Sequence, residues 1–485
     1  MARKRLILKG VTGGSYRPLS DASVEKIHDT AMRIFEEVGI QVNSNLALDL
    51  FRGTDARINE EERLVTIPRD MVMSLVGGAP AEVVLCGRVR ANDVTLGGSR
   101  VHAGTGGTAL NVIDRETGNK RPAVLQDLRD FARLVDSLDN VHVFMLPSYP
   151  GDLPGDKVDV NRFFAGLDNC RKHIMGGVYT ENGVRNVIRM AQMISGSARK
   201  LREKPIISMI TCSISPFKID SLYGDLLVTI AEAGVPVVCP AEPLTGATAP
   251  VTLAGTLTVQ IVDSLAGVII SQLANPGTPV IFGSVASSTS MRDLKYITGS
   301  VEMGLLNAAG AQMAQFYKLP FYATAGMSDS NVIDAQSGYE SSITSLLCAL
   351  AGANYIHDAA GLMEFALTMS FEKLVIDNEI LGMVMRAVRG IQVNDETLAF
   401  DVIKEMGPGG NFVASKHTRS FMRREHYDPT LSNREFRQRW EKLGSKDTSV
   451  RAREIATEIL ERPHRGLPAK VRNRILARFP DIVPA

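Results

Sequence analysis

Eight times between residues 96 and 395, a short apolar run is followed by a longer stretch whose apolar residues recur with helical spacing. The runs lie at 101–104, 141–146, 173–178, 205–211, 235–240, 278–283, 319–325 and 353–357. The helical stretches lie at 124–138, 159–170, 183–197, 220–233, 252–274, 297–317, 334–351 and 371–390. Repeated strand–helix units bury a parallel sheet under a layer of helices. Eight of them in about 300 residues fit a (β/α)8 TIM barrel. An open, doubly wound sheet is the alternative. It is weakened by the glycine-rich segment 102–108, which opens no helix where a dinucleotide-binding turn requires one.

The flanks read differently. Residues 1–95 form an α+β preface: a helix over 20–38 with Ser20 as its N-cap, a strand at 64–67, and strand candidates at 83–85 and 94–96. Residues 396–485 are more polar and basic, with helices at 432–443 and 448–461 set off by Pro463, Pro468 and Pro480. This part reads as a helical extension packed on the barrel or on a partner subunit.

Composition narrows the function. Lys plus Arg is 54 and Asp plus Glu is 53, a net charge of +1. That balance argues against a protein that binds nucleic acid by neutralising phosphates. The five cysteines are odd in number and form no CxxC, which fits a reducing compartment and buried, unpaired thiols. The chain starts with a basic stretch that lacks an apolar core of signal-peptide length. The apolar stretch 251–274 is interrupted by Asp263 and two glutamines and reads as a buried helix. A cytoplasmic protein with no membrane partner is expected, and self-association into a homo-oligomer.

In such barrels the chemistry sits at the C-terminal ends of the strands. The residues placed there are Thr105, Ser148, Tyr149, Tyr179, Cys212, Ser213, Glu242, Ser284, Ser328 to Asn331, His357 and Asp358. None is a lysine suited to Schiff-base chemistry, and no HxxEH or Cys/His cluster supports a metal site. Two loops, 240–250 and 324–334, are rich in small and polar residues that let a ligand approach the backbone, although they also suit simple turns with helix caps such as Asp334.

Long runs of sequence carry a resemblance. AGMSDSNVIDAQSGYES (325–341), PLTGATAPVTLAGTL (243–257), FEKLVIDNEILGMV (371–384), GPGGNFVASKHTRSFMRREHYDPTLSNR (407–434) and LSDASVEKIHDTAMRIFEEVGI (19–40) resemble the trimethylamine methyltransferase family. The resemblance implies a (β/α)8 barrel and transfer of a methyl group from a methylated amine to cob(I)alamin on a separate corrinoid protein. The founding members carry pyrrolysine in the barrel. This sequence has none, and Asn331 stands at the corresponding place in the loop after the seventh strand. Members lacking pyrrolysine resemble glycine betaine methyltransferases, so a quaternary amine, most simply glycine betaine giving dimethylglycine, is the implied substrate. The same fold acting on proline betaine or carnitine, or a non-catalytic quaternary-amine-binding protein, are the alternatives.

A site for such a substrate needs donors for a carboxylate at one end. It needs aromatic faces or an acid for a trimethylammonium at the other. Tyr149 and Tyr179 are candidates for a cation box, or for rim packing; Phe217, Tyr322 and Tyr339 are weaker candidates. Glu242 is placed to neutralise the ammonium, or to pair with an arginine. Asp329 and Asn331 carry the loop position and the family match, against local turn bonding. His357 is a donor for the carboxylate or a core histidine. His417 and Thr418 are read as folding over the mouth toward the corrinoid, or as packing. No catalytic residue is assigned, and no metal ligand.

Overall fold

The structure, a computed structural model, describes residues 9–464 and 466–484; the basic start at 1–8 lies outside the described residues. Its centre is a curled sheet built from β1 (Arg100–Ala103), β2 (Val143–Met145), β3 (His173–Gly177), β4 (Ile207–Ile210), β5 (Val237–Ala241), β6 (Val280–Ser284), β7 (Phe321–Thr324) and β8 (Tyr355–His357). These pair in parallel in the order β1-β8-β7-β6-β5-β4-β3-β2, and Val11–Thr12 adds a ninth, antiparallel strand beside β1. Between the two ends of the parallel run, Gly104 forms a parallel bridge with Val143, and the His142 amide donates to the Ala103 carbonyl at 2.7 Å.

Each strand is followed by a helix: α1 (Leu125–Ser137), α2 (Gly155–Asn169), α3 (Glu181–Ser195), α4 (Ser221–Ala233), α5 (Leu253–Ala274), α6 (Val301–Tyr317), α7 (Ala335–Ala351) and α8 (Phe371–Arg389). All eight expected pairs are present within a few residues. The largest shifts are at α2, which starts at Gly155 against an expected 159, and at α6, expected from 297 and starting at Val301. Tyr296–Ile297 instead pairs as a short strand with Ser288–Thr289, and the Ser300 hydroxyl caps the helix by accepting from the Met303 amide.

The alternation of side chains along each strand makes two cores. Ile174, Val237, Phe282, Phe321 and Ile356 face the helices. Met145, Met175, Ile210, Val238, Ile281, Tyr322 and Tyr355 fill the inside of the sheet. The inner core also contains Val83, Leu85, Val94 and Leu96, from an antiparallel hairpin of the preface. The hairpin sits at the N-terminal ends of the strands: the Cys86 amide donates to the Pro205 carbonyl, just before β4, and Nδ1 of His173, the first residue of β3, lies 3.1 Å from the Cys86 carbonyl. The preface is thus partly a plug. Its helix, Asp21–Arg33, is capped by Ser20 and gives way over Ile34–Val38 to a wider π turn.

Helix α5 is long and apolar enough to cross a membrane, but 83% of its most apolar stretch is buried inside the protein. Asp263 within it accepts from the Ser215 hydroxyl and the Phe217 amide. The extension folds back onto the outer helices. Glu379 of α8 accepts from the amides of Thr430, Leu431 and Ser432, Asp168 of α2 holds Leu467 and Arg472, and Arg453 pairs with Glu372. The helix expected at 432–443 is shorter, Arg437–Lys442, whereas Thr448–Glu461 matches its expected span.

Candidate active site

The loops that leave the C-terminal ends of β5, β6, β7 and β8 converge. Leu244 bridges Ser287, and the Thr289 amide donates to the Thr245 hydroxyl, tying the loop after β5 to the loop after β6. Asp329, after β7, accepts from the Thr298 amide and hydroxyl and the Gly299 amide, which ties that loop to the one after β6 as well. The Asp329 backbone amide and the Ser328 hydroxyl donate in turn to Glu340 of α7. Asp329 is therefore a brace between loops. Asn331, two residues on, is exposed.

Two carboxylates share the space these loops enclose. Glu242 follows β5 directly; its side chain is open to solvent yet ringed by protein. Burial, and then the negative charge of Asp358, push its carboxyl up to about 7. No arginine or lysine contributes to that balance. Asp358 follows β8 with a left-handed φ of 60° and is 3% exposed. Its Oδ2 lies 2.8 Å from His357 Nε2, while its buried Oδ1 has no hydrogen-bond partner. A buried carboxylate oxygen without a donor is costly unless a ligand supplies one or brings a positive charge. Gly106, after β1, makes room for it: a Cβ there would lie 2.2 Å from Asp358 Oδ1.

His357 is clamped. Nε2 faces Asp358, Nδ1 is 2.7 Å from the Thr324 hydroxyl, and the ring stacks on Tyr322 at 4.2 Å. It acts as a support for Asp358, with no ring nitrogen left for a ligand. Tyr322 belongs to the inner core, its hydroxyl 3.4 Å from the Met145 sulfur. Tyr296, which the strand-end rule does not reach, stands in the field of Glu242, Asp358 and Asp329. Burial and those charges hold its phenol well above its ordinary range.

Tyr149 and Tyr179 do meet, edge to face with ring centroids 5.5 Å apart. The buried guanidinium of Arg162 lies 5.4 Å from the Tyr179 ring centroid and donates to its hydroxyl, so that ring already serves a cation of the protein itself. Cys212 departs from the expectation of buried thiols: it is exposed, while Cys86, Cys170, Cys239 and Cys348 are buried. Enclosure, with Glu242 nearby, pushes its thiol up to about 12, so it stays protonated. Phe217 lines an outer groove with Ile34 and Thr248, and Tyr339 is exposed on α7.

His417 and Thr418 are not brought to this mouth. Their helix, Lys416–Glu425, is held by Arg386 and Arg389 at the C-terminal end of α8, which points away from the strand C-termini. His417 Nε2 faces the Glu396 carbonyl, and Thr418 binds Ser415 and Phe412. The reading of both as folding over the mouth is corrected by these contacts: His417 and Thr418 pack within the segment that follows α8, on Glu396, Phe412 and Ser415.

Sequence comparison decides the lineage. A profile described as trimethylamine methyltransferase (MTTB) matches residues 4–478. The chain belongs to the trimethylamine methyltransferase family. It is 35% identical over 465 residues to trimethylamine methyltransferase MttB of Desulfitobacterium hafniense (strain DSM 10664 / DCB-2), covering 95% of this chain and 93% of that protein. It is 35% identical over 436 residues to the glycine betaine methyltransferase of Desulfitobacterium hafniense (strain Y51), covering 89% and 90%. Trimethylamine methyltransferase MttB of Methanosarcina barkeri is 36% identical over 448 residues, with 90% and 89% covered. Among solved structures, the Methanosarcina barkeri monomethylamine methyltransferase (MtmB) superposes with a TM-score of 0.52 at 12% identity, over 92% of this chain and 88% of that one. The family is one of methyltransferases, so the protein is an enzyme of that class.

Proposed function

We propose that the protein transfers a methyl group from a quaternary ammonium compound, glycine betaine first among them, to cob(I)alamin presented by a cognate corrinoid protein. The observation that carries this is the pair Glu242 and Asp358: the charge of Asp358 acts on Glu242, no arginine or lysine offsets it there, and Asp358 Oδ1 has no hydrogen-bond partner. A trimethylammonium group is a cation without hydrogen-bond donors, so it is held by negative charge and aromatic faces. With the Tyr179 ring taken by Arg162, Tyr149 of that edge-to-face pair is the aromatic face on offer, and the exposed amide of Asn331 is free to donate to the substrate carboxylate.

The corrinoid supplies the nucleophile. His357, with both ring nitrogens engaged within the protein, is not a ligand for it. What this chain does is bind, orient and dry the amine. The C–N bond breaks with its electron pair staying on nitrogen. The leaving group is a neutral tertiary amine, so no general acid is needed, and the protonated thiol of Cys212 and the fixed His357 take no part in proton transfer. The Gly104–Val143 bridge supports reading the sheet as a closed (β/α)8 barrel, with 1–95 and 396–485 as separate segments and the mouth open to the corrinoid partner. A cytoplasmic location fits this reading.

The test is an anaerobic assay with free cob(I)alamin, following the corrinoid absorbance with glycine betaine, proline betaine, carnitine and trimethylamine in turn. Glycine betaine is expected to be turned over and trimethylamine not. Turnover of trimethylamine alone would overturn the proposal.

A further inference from the structure

We propose that the buried pair Lys373 and Asp377 of α8 is a positioning device: it holds the loop after β8 against the loop after β7, and so sets where Asp358 stands in the mouth. The inference rests on the reading of Asp358 as part of the cation end. Both side chains are fully buried, four residues apart on α8, with Lys373 Nζ 2.5 Å from Asp377 Oδ1. The period of a packed helix puts apolar residues at such positions. A buried ion pair gives up hydration that its own attraction often fails to offset, and apolar side chains of similar volume would hold α8 in place as well or better. Packing therefore does not account for the pair.

Its contacts do. Asp377 Oδ2 accepts from the Gly361 amide at 2.8 Å, and Lys373 Nζ donates to the Ser341 hydroxyl of α7 at 2.7 Å. Gly361, three residues after Asp358, turns the chain with a φ of 96°, and its carbonyl accepts from the amide of Ser370, the N-cap of α8. Ser341 follows Glu340, which accepts from the Ser328 hydroxyl and the Asp329 amide in the loop after β7. One line of contacts thus runs from the first loop through α7 and α8 to the second. Where the two loops meet they pack backbone to backbone: a Cβ on Gly326 would lie 2.6 Å from the Ala359 Cα. The Ala359 amide also donates to the Gly104 carbonyl at 3.1 Å. Asp358 stands directly before this anchored stretch, so a shift of 359–361 moves its carboxylate.

The test compares two double variants of the full chain. Lys373→Met/Asp377→Val removes both charges and the acceptor for Gly361. Lys373→Met/Asp377→Asn removes both charges but keeps an amide oxygen able to accept the same bond. Hydrogen exchange of residues 358–363, read by mass spectrometry, reports the loop without any ligand, and calorimetric titration of glycine betaine reports the site. The Val variant is expected to stay folded by circular dichroism, to exchange 358–363 faster than the wild type, and to bind glycine betaine up to about 100-fold more weakly. With Asp358 displaced, its charge bears less on Glu242, so the pH midpoint of binding moves below that of the wild type, a shift that lost packing alone does not produce. The Asn variant is expected to restore exchange, affinity and midpoint. If the Val variant unfolds, Ser341→Ala, which removes only the tie to α7, carries the test, with faster exchange and binding weakened about two- to fivefold. A wild type that binds no glycine betaine would overturn the reading of the site, and exchange would still decide whether the pair holds the loop. Unchanged exchange at 358–363 overturns the proposal, as does faster exchange with wild-type affinity and midpoint.

Discussion

The two ends of the sheet are built from the same strands and treat polar groups in opposite ways. At the N-terminal end, the 83–96 hairpin plugs the interior and its neighbours are tied by hydrogen bonds, with His102 Nδ1 and one Arg88 nitrogen left without partners. His173 uses Nδ1 on the carbonyls of Cys86 and Pro205 and Nε2 on Ser208, and the Lys172 ammonium donates to the carbonyls of Leu138 and Val141. At the C-terminal end, the exposed Glu242 feels the charge of the buried Asp358, and Asp358 Oδ1 has no partner. The first end is organised for stability. The second leaves negative charge that a proton on Glu242, or a cation from outside, neutralises.

The sharpest way to separate the ends is to hollow out the plug. Leu96 is fully buried in the inner core, and Leu96→Ala should lower unfolding free energy by about 2–5 kcal/mol in a denaturant titration. The activity of the molecules that remain folded should not change. Loss of activity beyond the folded fraction would mean that the ends are coupled.

Next comes Glu242→Gln. Removing this charge should weaken use of a quaternary amine by roughly 1.5–3 kcal/mol, about 10- to 150-fold in kcat/KM. Stability should not fall, because the carboxyl is held above its ordinary range by burial. The sign is set by linkage: the folded state keeps a proton that the unfolded chain has released, so this group costs stability as pH rises from about 4.5 toward 7, and the variant lacks that slope.

The sheet residues against the plug have the opposite slope. Burial lowers His102 and His173 to about 4, so the unfolded chain binds protons first as pH falls below 6.5. Going from pH 6.5 to 5.5 should cost about 1 kcal/mol per histidine. His173→Gln should flatten the acid side of a plot of unfolding free energy against pH, even if it lowers the whole curve. The smallest effect is expected at Asn331. Its amide is exposed, so Asn331→Ala should reduce kcat/KM for glycine betaine by about 0.5–1 kcal/mol, some two- to fivefold. Unchanged kinetics would remove it from the carboxylate end.

The sequence made the strands and helices legible because each apolar run is bounded by a clear change of period. The strand-end rule also reached Glu242 and Asp358 one by one. It could not pair them, since the loops that bring β5 and β8 together at the mouth leave no local signal. Tyr296 escaped because it lies in a small hairpin well past the end of β6, where the pattern read as the start of a helix. Asp329 was legible as a loop acid, but its role as a brace depends on the amides of Thr298 and Gly299 in a different loop. The plug was missed because two three-residue strands look alike whether they cover a surface or fill the inside of a curled sheet.

The central claim is that Glu242 and Asp358 form the cation end of the site. Calorimetric titration of glycine betaine between pH 6 and 8, in buffers of different ionisation enthalpy, tests it without the corrinoid partner. Binding should tighten as pH rises through about 7 and release a proton from the wild type, and Glu242→Gln should lose both effects. Affinity that is independent of pH, with no proton released, would contradict the assignment.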